Sequence, residues 1–184
     1  MRVKDMTKVA VFAALTCSIA VIFRYVPATI VPFSLLPVVV LLSGFVLGPR
    51  LGATAMLIYA LLGIVGFPVF ASPPFGGITY ILKPTFGYIL GYIPAAYVVG
   101  KFLLLSDKRN LLISSLAVLG GLTTLYLVGL SYLYLSLNLY LHSPIGIIGV
   151  IEKGLLPFLV LDLIKGIVAA VVGNKLHLML KQID

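Results

Sequence analysis

The chain has 184 residues, of which 61% are hydrophobic and only 10% are charged, and its formal net charge is +8. Because soluble domains carry roughly 25% charged residues, this composition excludes an ordinary soluble protein and indicates a membrane protein, while the lack of period-two alternation excludes a β-barrel. The positive charge does not indicate nucleic-acid binding, since the basic residues are scattered through short connections and form no stripe with interleaved aromatic residues.

Apolar runs predict an all-α integral membrane protein, a six-transmembrane-helix bundle that forms a single domain over residues 1–184. We call the runs spans one to six. In chain order they cover residues 7–26, 34–47, 51–66, 86–105, 111–139 and 157–180. An even number of spans places both termini on the same side of the membrane.

Span one carries two small residues, Ala10 and Ala14, four positions apart. Such a step lets another helix approach closely, so this face packs either within the protein or against a partner. The same span contains Cys17, the only cysteine, so no disulfide or cysteine metal site forms within the chain. Arg24 lies at the outer end of the span.

Spans two and three are separated at Gly48-Pro49, where a glycine followed by a proline predicts a turn. Span two is short, and Pro27 and Pro32 interrupt the apolar pattern before it. Gly44 and Gly48 form a second small-residue step, for which packing within the protein is the simplest explanation.

Residues 67–85, between spans three and four, combine prolines with aromatic residues. The prolines exclude a regular helix, whereas the aromatic residues disfavour a purely solvated loop, so we predict an ordered, partly buried loop on the outer face. Hydroxyl groups for binding a ligand are present in and beside it, on Thr79, Tyr80, Thr85 and Tyr88. The alternative for Phe70, Phe75 and Tyr80 is aromatic packing alone.

Span five is longer than a bilayer requires, and Gly120-Gly121 with several tyrosines predicts tilt, a bend and interfacial anchoring. The tyrosines are Tyr126, Tyr132, Tyr134 and Tyr140. Residues 142–156, which include Glu152 and Lys153, are predicted to form a connection.

Span six contains a pair of opposite charges. A rise of 1.5 Å per residue places Asp162 roughly 8 Å and Lys165 roughly 12 Å below Pro157, and a spacing of three puts both on one face of the helix. An ionisable residue at such depth costs about 2.5–3.5 kcal/mol on insertion scales. The pair is either a structural ion pair or a set of ligand contacts reached from outside, and we favour the ligand because intramembrane charges usually mark sites.

The distribution of basic residues predicts the orientation, because cytoplasmic connections are enriched in Lys and Arg. With both termini in the cytoplasm, the outer connections hold only Lys83 and Lys153. The inner ends then collect Arg2, Lys4, Lys8, Arg50, Lys101, Lys108, Arg109, Lys175 and Lys181. We therefore expect a multi-pass protein of the plasma membrane with both termini inside.

Enzymatic motifs are absent from the sequence. It contains neither the G-x-x-x-x-G-K-[ST] phosphate loop nor a G-x-S-x-G nucleophile elbow, and His142 and His177 fall near opposite faces of the membrane. We therefore expect no enzyme activity, no cofactor and no metal site.

Three stretches of the chain resemble the BioY family, the substrate-binding S components of energy-coupling factor (ECF) vitamin transporters. Residues 41–70, LLSGFVLGPRLGATAMLIYALLGIVGFPVF, resemble the family's second and third helices with the following loop. LKPTFGYILGY at residues 82–92 is similar to the motif G-P-T-G-G-Y-L-x-G-F, and PFLVLDLIKG at residues 157–166 is similar to P-F-x-x-x-D-x-x-K.

The resemblance implies a six-helix bundle that binds biotin from outside and associates with a transmembrane coupling subunit carrying two ATPases. The biotin-binding Asp and Lys of the family fall on Asp162 and Lys165, and its motif Thr and Tyr fall on Thr85 and Tyr88. The step with which S components commonly meet the coupling subunit falls on Ala10 and Ala14.

Biotin offers ureido N–H donors and a carboxylate on an apolar chain, so it requires an acceptor, a cation and an apolar wall. We expect Asp162 to accept from the ureido ring, and Lys165 to bind either the carboxylate or Asp162; Arg24 and Lys83 are rival partners of the carboxylate. The alternatives are an S component for another vitamin-like acid, such as lipoate or dethiobiotin, or a membrane enzyme or structural bundle.

Overall fold

The computed structural model describes residues 2–25, 34–106, 110–141 and 143–181, with side chains described as far as residue 176. This described part is all-helical and holds no strand, and five of its helical stretches are long and apolar enough to cross a membrane. The helices are α1 (Val3–Ile22), α2 (Leu36–Val65), α3 (Phe86–Leu105), α4 (Leu111–Leu135), α5 (Ile147–Gly154) and α6 (Leu156–Lys181). Predictions that concern Pro27, Pro32, Lys108, Arg109, His142 and the side chains of His177 and Lys181 lie outside the described residues.

Helix α2 reverses direction at Gly48. This residue has φ 77° and ψ −177°, which is not a helical conformation. The carbonyl oxygen of Ser43 lies 2.9 Å from where a Cβ on Gly52 would stand, whereas nine residues of straight helix span about 13.5 Å. Segments 36–47 and 49–65 are therefore antiparallel neighbours. The turn predicted at Gly48-Pro49 is confirmed, and the two segments correspond to predicted spans two and three.

Glycines bring the helices into close contact around this turn. A Cβ on Gly44 would lie 2.4 Å from the carbonyl oxygen of Ala96 in α3. A Cβ on Gly100 would lie equally close, 2.4 Å, to the backbone nitrogen of Pro49. Real side chains do not tolerate such distances, so glycine is required for α3 to pack directly on the α2 backbone. Gly44 therefore serves packing within the protein, as its small-residue step predicts.

Residues 66–85 fold back onto the end of α2. Phe70 is 0% exposed, and its ring centroid lies 5.6 Å from that of Tyr59 and 4.3 Å from that of Tyr80. The ring covers Gly63, where a Cβ would approach ring atoms to 2.0 Å. A short 3-10 helix, Ile78–Leu82, then leads into α3. Aromatic packing therefore fixes this segment to the bundle.

The described helices have two distinguishable ends. Tyr132 near the end of α4 donates from its hydroxyl to the carbonyl of Ile81 just before α3. Ser114 near the start of α4 donates to Asn174 Oδ1 in the second half of α6, at 2.7 Å. Helices α3 and α6 therefore begin where α4 ends, and we call this the cavity end of the bundle.

The predicted connection at residues 142–156 contains a short helix that was not predicted, because eight of its residues form α5. The helix was not predicted because the segment contains Pro144, Gly146 and Gly149, and proline and glycine have the lowest helix propensities. Burial of Val150 and Gly154 against the bundle stabilises α5 instead. This helix lies at the cavity end and contributes to the site described below.

Candidate functional site

A cavity of about 340 Å³ lies between the helices at the cavity end. Small-molecule sites typically measure about 300–1,000 Å³ and are mostly apolar with a few polar groups, and this cavity fits that description. It is lined by Ser34, Pro37, Thr85, Tyr88, Tyr92, Leu125, Tyr126, Leu133, Leu137, Ile145, Val150, Lys153, Gly154, Phe158, Asp162 and Lys165.

Asp162 and Lys165 form an ion pair in the cavity wall. Lys165 Nζ donates to Asp162 Oδ1 at 2.8 Å and to the backbone carbonyl of Ser34 at 3.0 Å. Tyr126 of α4 donates from its hydroxyl to Asp162 Oδ2 at 2.6 Å. Asp162 is only 5% exposed, and a buried carboxylate requires such partners because leaving it unpaired is costly.

This arrangement leaves Asp162 able to accept further hydrogen bonds. An ionised carboxylate has about four acceptor sites on its two oxygens. Lys165 uses one site on Oδ1, and Tyr126 uses one on Oδ2. The pair carries no net charge, so the site can bind a neutral N–H group without an additional counterion.

Two further predicted residues, Thr85 and Tyr88, lie in the same cavity wall. The Tyr88 hydroxyl donates to the carbonyl oxygen of Gly154 at 2.8 Å, and its ring meets that of Tyr126 edge to face, with 6.2 Å between the centroids. Tyr88 thus connects the start of α3 to the end of α5. The structure brings four of the predicted substrate-binding residues together around one cavity.

The other three, Arg24, Lys83 and Tyr80, are not among the residues that line it. Arg24 Nε donates to the carbonyl of Phe70 at 2.9 Å, its Nη2 donates to the carbonyl of Pro68, and its guanidinium lies 4.5 Å from the centroid of the Phe75 ring. Arg24 therefore ties the end of α1 to the loop at residues 66–85. Its contact with a ligand stays a prediction.

Lys83 and Tyr80 stabilise the same loop from within. Lys83 Nζ donates to Ser72 Oγ at 3.1 Å and to the carbonyl of Pro73. The hydroxyls of Tyr80 and Ser72 are 2.8 Å apart, and burial raises the pKa of the Tyr80 phenol, which keeps it protonated. These contacts agree with the packing alternative for Tyr80, and ligand binding by both residues stays a prediction.

Ala10 and Ala14 lie on the outside of the bundle. Both are exposed, whereas Val9 and Ala13, on the neighbouring face of α1, are buried. The small-residue step is therefore not covered by the described part of this chain. A second protein can reach it.

Two residues of the cavity wall, Tyr126 and Lys153, were not predicted from the sequence to belong to the site. We interpreted Tyr126 as an interfacial anchor, although its position in the middle of a long span was a sign of burial. We interpreted Lys153 as an orientation signal in a connection, because α5 was not recognised. Both residues reach the cavity through the packing of α4 and α5 in the bundle, which local sequence patterns do not reveal.

Comparison with known proteins identifies related transporters. The model of the BioY family matches residues 1–182. A probable biotin transporter BioY of Lysinibacillus sphaericus is 36% identical over 176 residues, covering 94% of this chain and 86% of the relative. A probable biotin transporter BioY of Pyrococcus horikoshii is 38% identical over 180 residues, covering 96% and 98%. The biotin transporter BioY of Thermotoga maritima is 37% identical over 174 residues, covering 94% and 95%.

A solved structure shares the fold. The crystal structure of the S-component for biotin from an ECF-type ABC transporter matches with a TM-score of 0.70, covering 96% of this chain and 94% of that chain. The two sequences are 22% identical over the match. This likeness therefore concerns the arrangement of the helices.

Proposed function

This chain belongs to the BioY family, and we propose that it is the biotin-binding S subunit of an ECF-type importer. The observation that carries the proposal is the buried Asp162–Lys165 pair in the wall of a largely apolar cavity of suitable volume. A subunit of this kind binds and delivers its ligand without changing it covalently.

Biotin fits the chemistry of this cavity. Its ureido N–H groups need an acceptor, and Asp162 retains acceptor sites while it is bonded to Tyr126 and Lys165. The thioether ring and aliphatic chain need an apolar wall, which Leu125, Leu133 and other aliphatic and aromatic residues of the lining provide. Thr85 and Tyr88 add hydroxyl groups beside the acid.

We place the cavity end of the bundle on the extracellular side of the plasma membrane. Counting the two segments of α2 separately, the chain crosses the membrane six times, so both termini lie on one side, which is the cytoplasm in this orientation. Support comes from the excess of Lys and Arg at the opposite end, which includes Arg50 and Lys101. Biotin then binds from outside, beneath an extracellular loop at residues 66–85.

We propose that the exposed face of α1 binds the transmembrane coupling subunit through Ala10 and Ala14. Small residues allow helices to approach closely within a membrane, and both alanines are exposed. Two ATPases attached to the coupling subunit supply the energy for transport.

Ligand-induced stabilisation tests the proposal. A ligand at 100 times its Kd stabilises a protein by about 2.7 kcal/mol, so biotin should raise the unfolding temperature of the detergent-solubilised protein. Lipoate and an unrelated vitamin serve as controls, because neither has a ureido ring, while dethiobiotin tests whether that ring is sufficient. Stabilisation by lipoate with no effect of biotin would contradict the proposal and favour another vitamin-like acid.

The substitution Asp162→Asn tests the site itself. Asparagine preserves the volume, and its carbonyl oxygen can still accept from Tyr126, so we expect a folded protein. We also expect the affinity for biotin to fall 100-fold or more, which is roughly the contribution of hydrogen bonds to a charged group. Binding unchanged from the wild type would refute the assigned role of Asp162.

A further inference from the structure

A third charged residue, Lys153, lines the cavity together with Asp162 and Lys165. Its side chain is exposed, whereas those of Asp162 and Lys165 are 7% and 13% accessible. Lys153 therefore stands at the mouth of the cavity, and the ion pair lies deeper. Within the described ranges, Lys153 forms no ion pair.

The charges of the cavity wall sum to one positive charge. Asp162 and Lys165 neutralise each other at 2.8 Å, which leaves the ammonium of Lys153 uncompensated among the described lining residues. A cavity with this balance complements a ligand that carries a single carboxylate. A neutral polar group suits the inner part, and an anionic group suits the mouth.

The other candidate cations are engaged elsewhere. Arg24 and Lys83 bind carbonyl groups of the loop at residues 66–85 and do not line the cavity. Lys165 donates to Asp162 and to the backbone of Ser34. A carboxylate at the mouth therefore meets Lys153 first.

We propose that Lys153 binds the carboxylate of the ligand and thereby selects vitamin acids over neutral analogues. The ring system of the ligand then lies inward at Asp162, and its chain runs outward to α5. The bond between the Tyr88 hydroxyl and Gly154 holds the end of α5, next to Lys153, in place over the cavity. This inference rests on the proposed function, and it concerns the opposite end of the ligand from Asp162.

The experiment compares biotin with biotinamide, which has the same rings and chain but a neutral terminal carboxamide. Calorimetry on the detergent-solubilised protein gives both dissociation constants for the wild type, Lys153→Gln, Lys153→Arg and Lys101→Gln. Lys101→Gln is the matched control, because it makes the same change at an exposed residue of α3 outside the cavity lining.

We expect the wild type to bind biotin about tenfold more tightly than biotinamide, because a partly exposed charge-assisted hydrogen bond contributes about this much to affinity. Lys153→Gln should bind biotin about tenfold more weakly, bind biotinamide as the wild type does, and lose the preference. Lys153→Arg should restore the preference for biotin, and Lys101→Gln should retain the wild-type preference.

The same data separate this inference from the proposed function. A Lys153→Gln variant that keeps the wild-type preference would overturn the role of Lys153 while leaving biotin binding intact. A wild type that binds neither compound would overturn the proposed function, and this inference with it. Weaker binding of both compounds by Lys153→Gln would identify a structural role for Lys153 and also overturn the inference.

Discussion

Asp162 is bonded to donors from two different helices, Lys165 on its own helix α6 and Tyr126 on α4. The first bond follows from the spacing in the sequence, because residues three positions apart share a helix face. The second depends on how α4 packs against α6. The Tyr126 hydroxyl therefore orients the carboxylate relative to the cavity, which is a positioning role.

Replacing Tyr126 with phenylalanine tests this role. The substitution removes one donor to a buried carboxylate and leaves the ring in place, so biotin affinity should fall about tenfold, given the typical worth of a hydrogen bond to a charged group. Calorimetric titration of the purified protein with biotin measures the change.

Tyr134→Phe provides the control for that variant. Tyr134 lies on the same helix, with its side chain partly exposed, and is not in the cavity lining, so its hydroxyl should contribute nothing to binding. Equal affinities of Tyr126→Phe and the wild type would show that Asp162 is positioned without Tyr126.

Individual residues of the site were predictable to the extent that their contacts are local. The sequence suffices to place Asp162 and Lys165 on one helix face and within the membrane, while their pairing was one of two alternatives. It does not supply Tyr126 or Lys153, because their positions in the cavity wall depend on the packing of α4 and α5. Hydroxyl and amino groups in the aromatic loop were predicted to bind ligand, yet Tyr80 and Lys83 bond to the loop itself.

Among the secondary-structure elements, the reversal within α2 has the strictest local requirement. Gly48 combines φ 77° with ψ −177°, a region that is essentially restricted to glycine. A Cβ at this position would meet nothing within 4 Å. Any loss of stability on substituting Gly48 therefore comes from the unfavourable backbone conformation and not from steric overlap.

Gly48→Ala should lower the free energy of unfolding by about 1–3 kcal/mol, the usual cost of an unfavourable φ/ψ combination. Denaturant unfolding in detergent measures this change. Gly146→Ala is the matched control, because Gly146 also has open space around it but an ordinary φ of −72°, so it should cost at most about 1 kcal/mol. If both variants lost the same stability, strain at Gly48 would not be the cause.

The secondary-structure elements were predictable where the sequence contains strong turn signals or long apolar runs. Gly48-Pro49 marks the reversal, and long apolar runs mark the spanning helices. Helix α5 was missed because it is short, rich in glycine and stabilised by burying Val150 and Gly154. Tertiary contacts of this kind override local propensity.

At the scale of the whole molecule, the cavity and the exposed face of α1 are separate surfaces. Ala10 and Ala14 are exposed on α1 and do not line the cavity. Binding of biotin and assembly with a coupling subunit should therefore be separable by mutation.

The double substitution Ala10→Trp and Ala14→Trp should abolish biotin uptake by cells and co-purification with the proposed coupling subunit. The reason is that two indole rings prevent close helix approach. Biotin affinity of the isolated subunit should stay within about twofold of the wild type, since distant sites act independently. Uptake of labelled biotin and affinity purification of the complex measure these effects.

Leu116→Trp is the control for added bulk, because Leu116 is exposed on α4 and should tolerate the change. Wild-type co-purification of the double variant would place the coupling surface elsewhere on the molecule.

An importer must also release its cargo and reset. When the vitamin departs, Asp162 still holds Tyr126 and Lys165, so no orphan anion is created in the vacated pocket. The empty site therefore needs neither sodium nor an added proton to neutralise that acid, because Lys165 already does so.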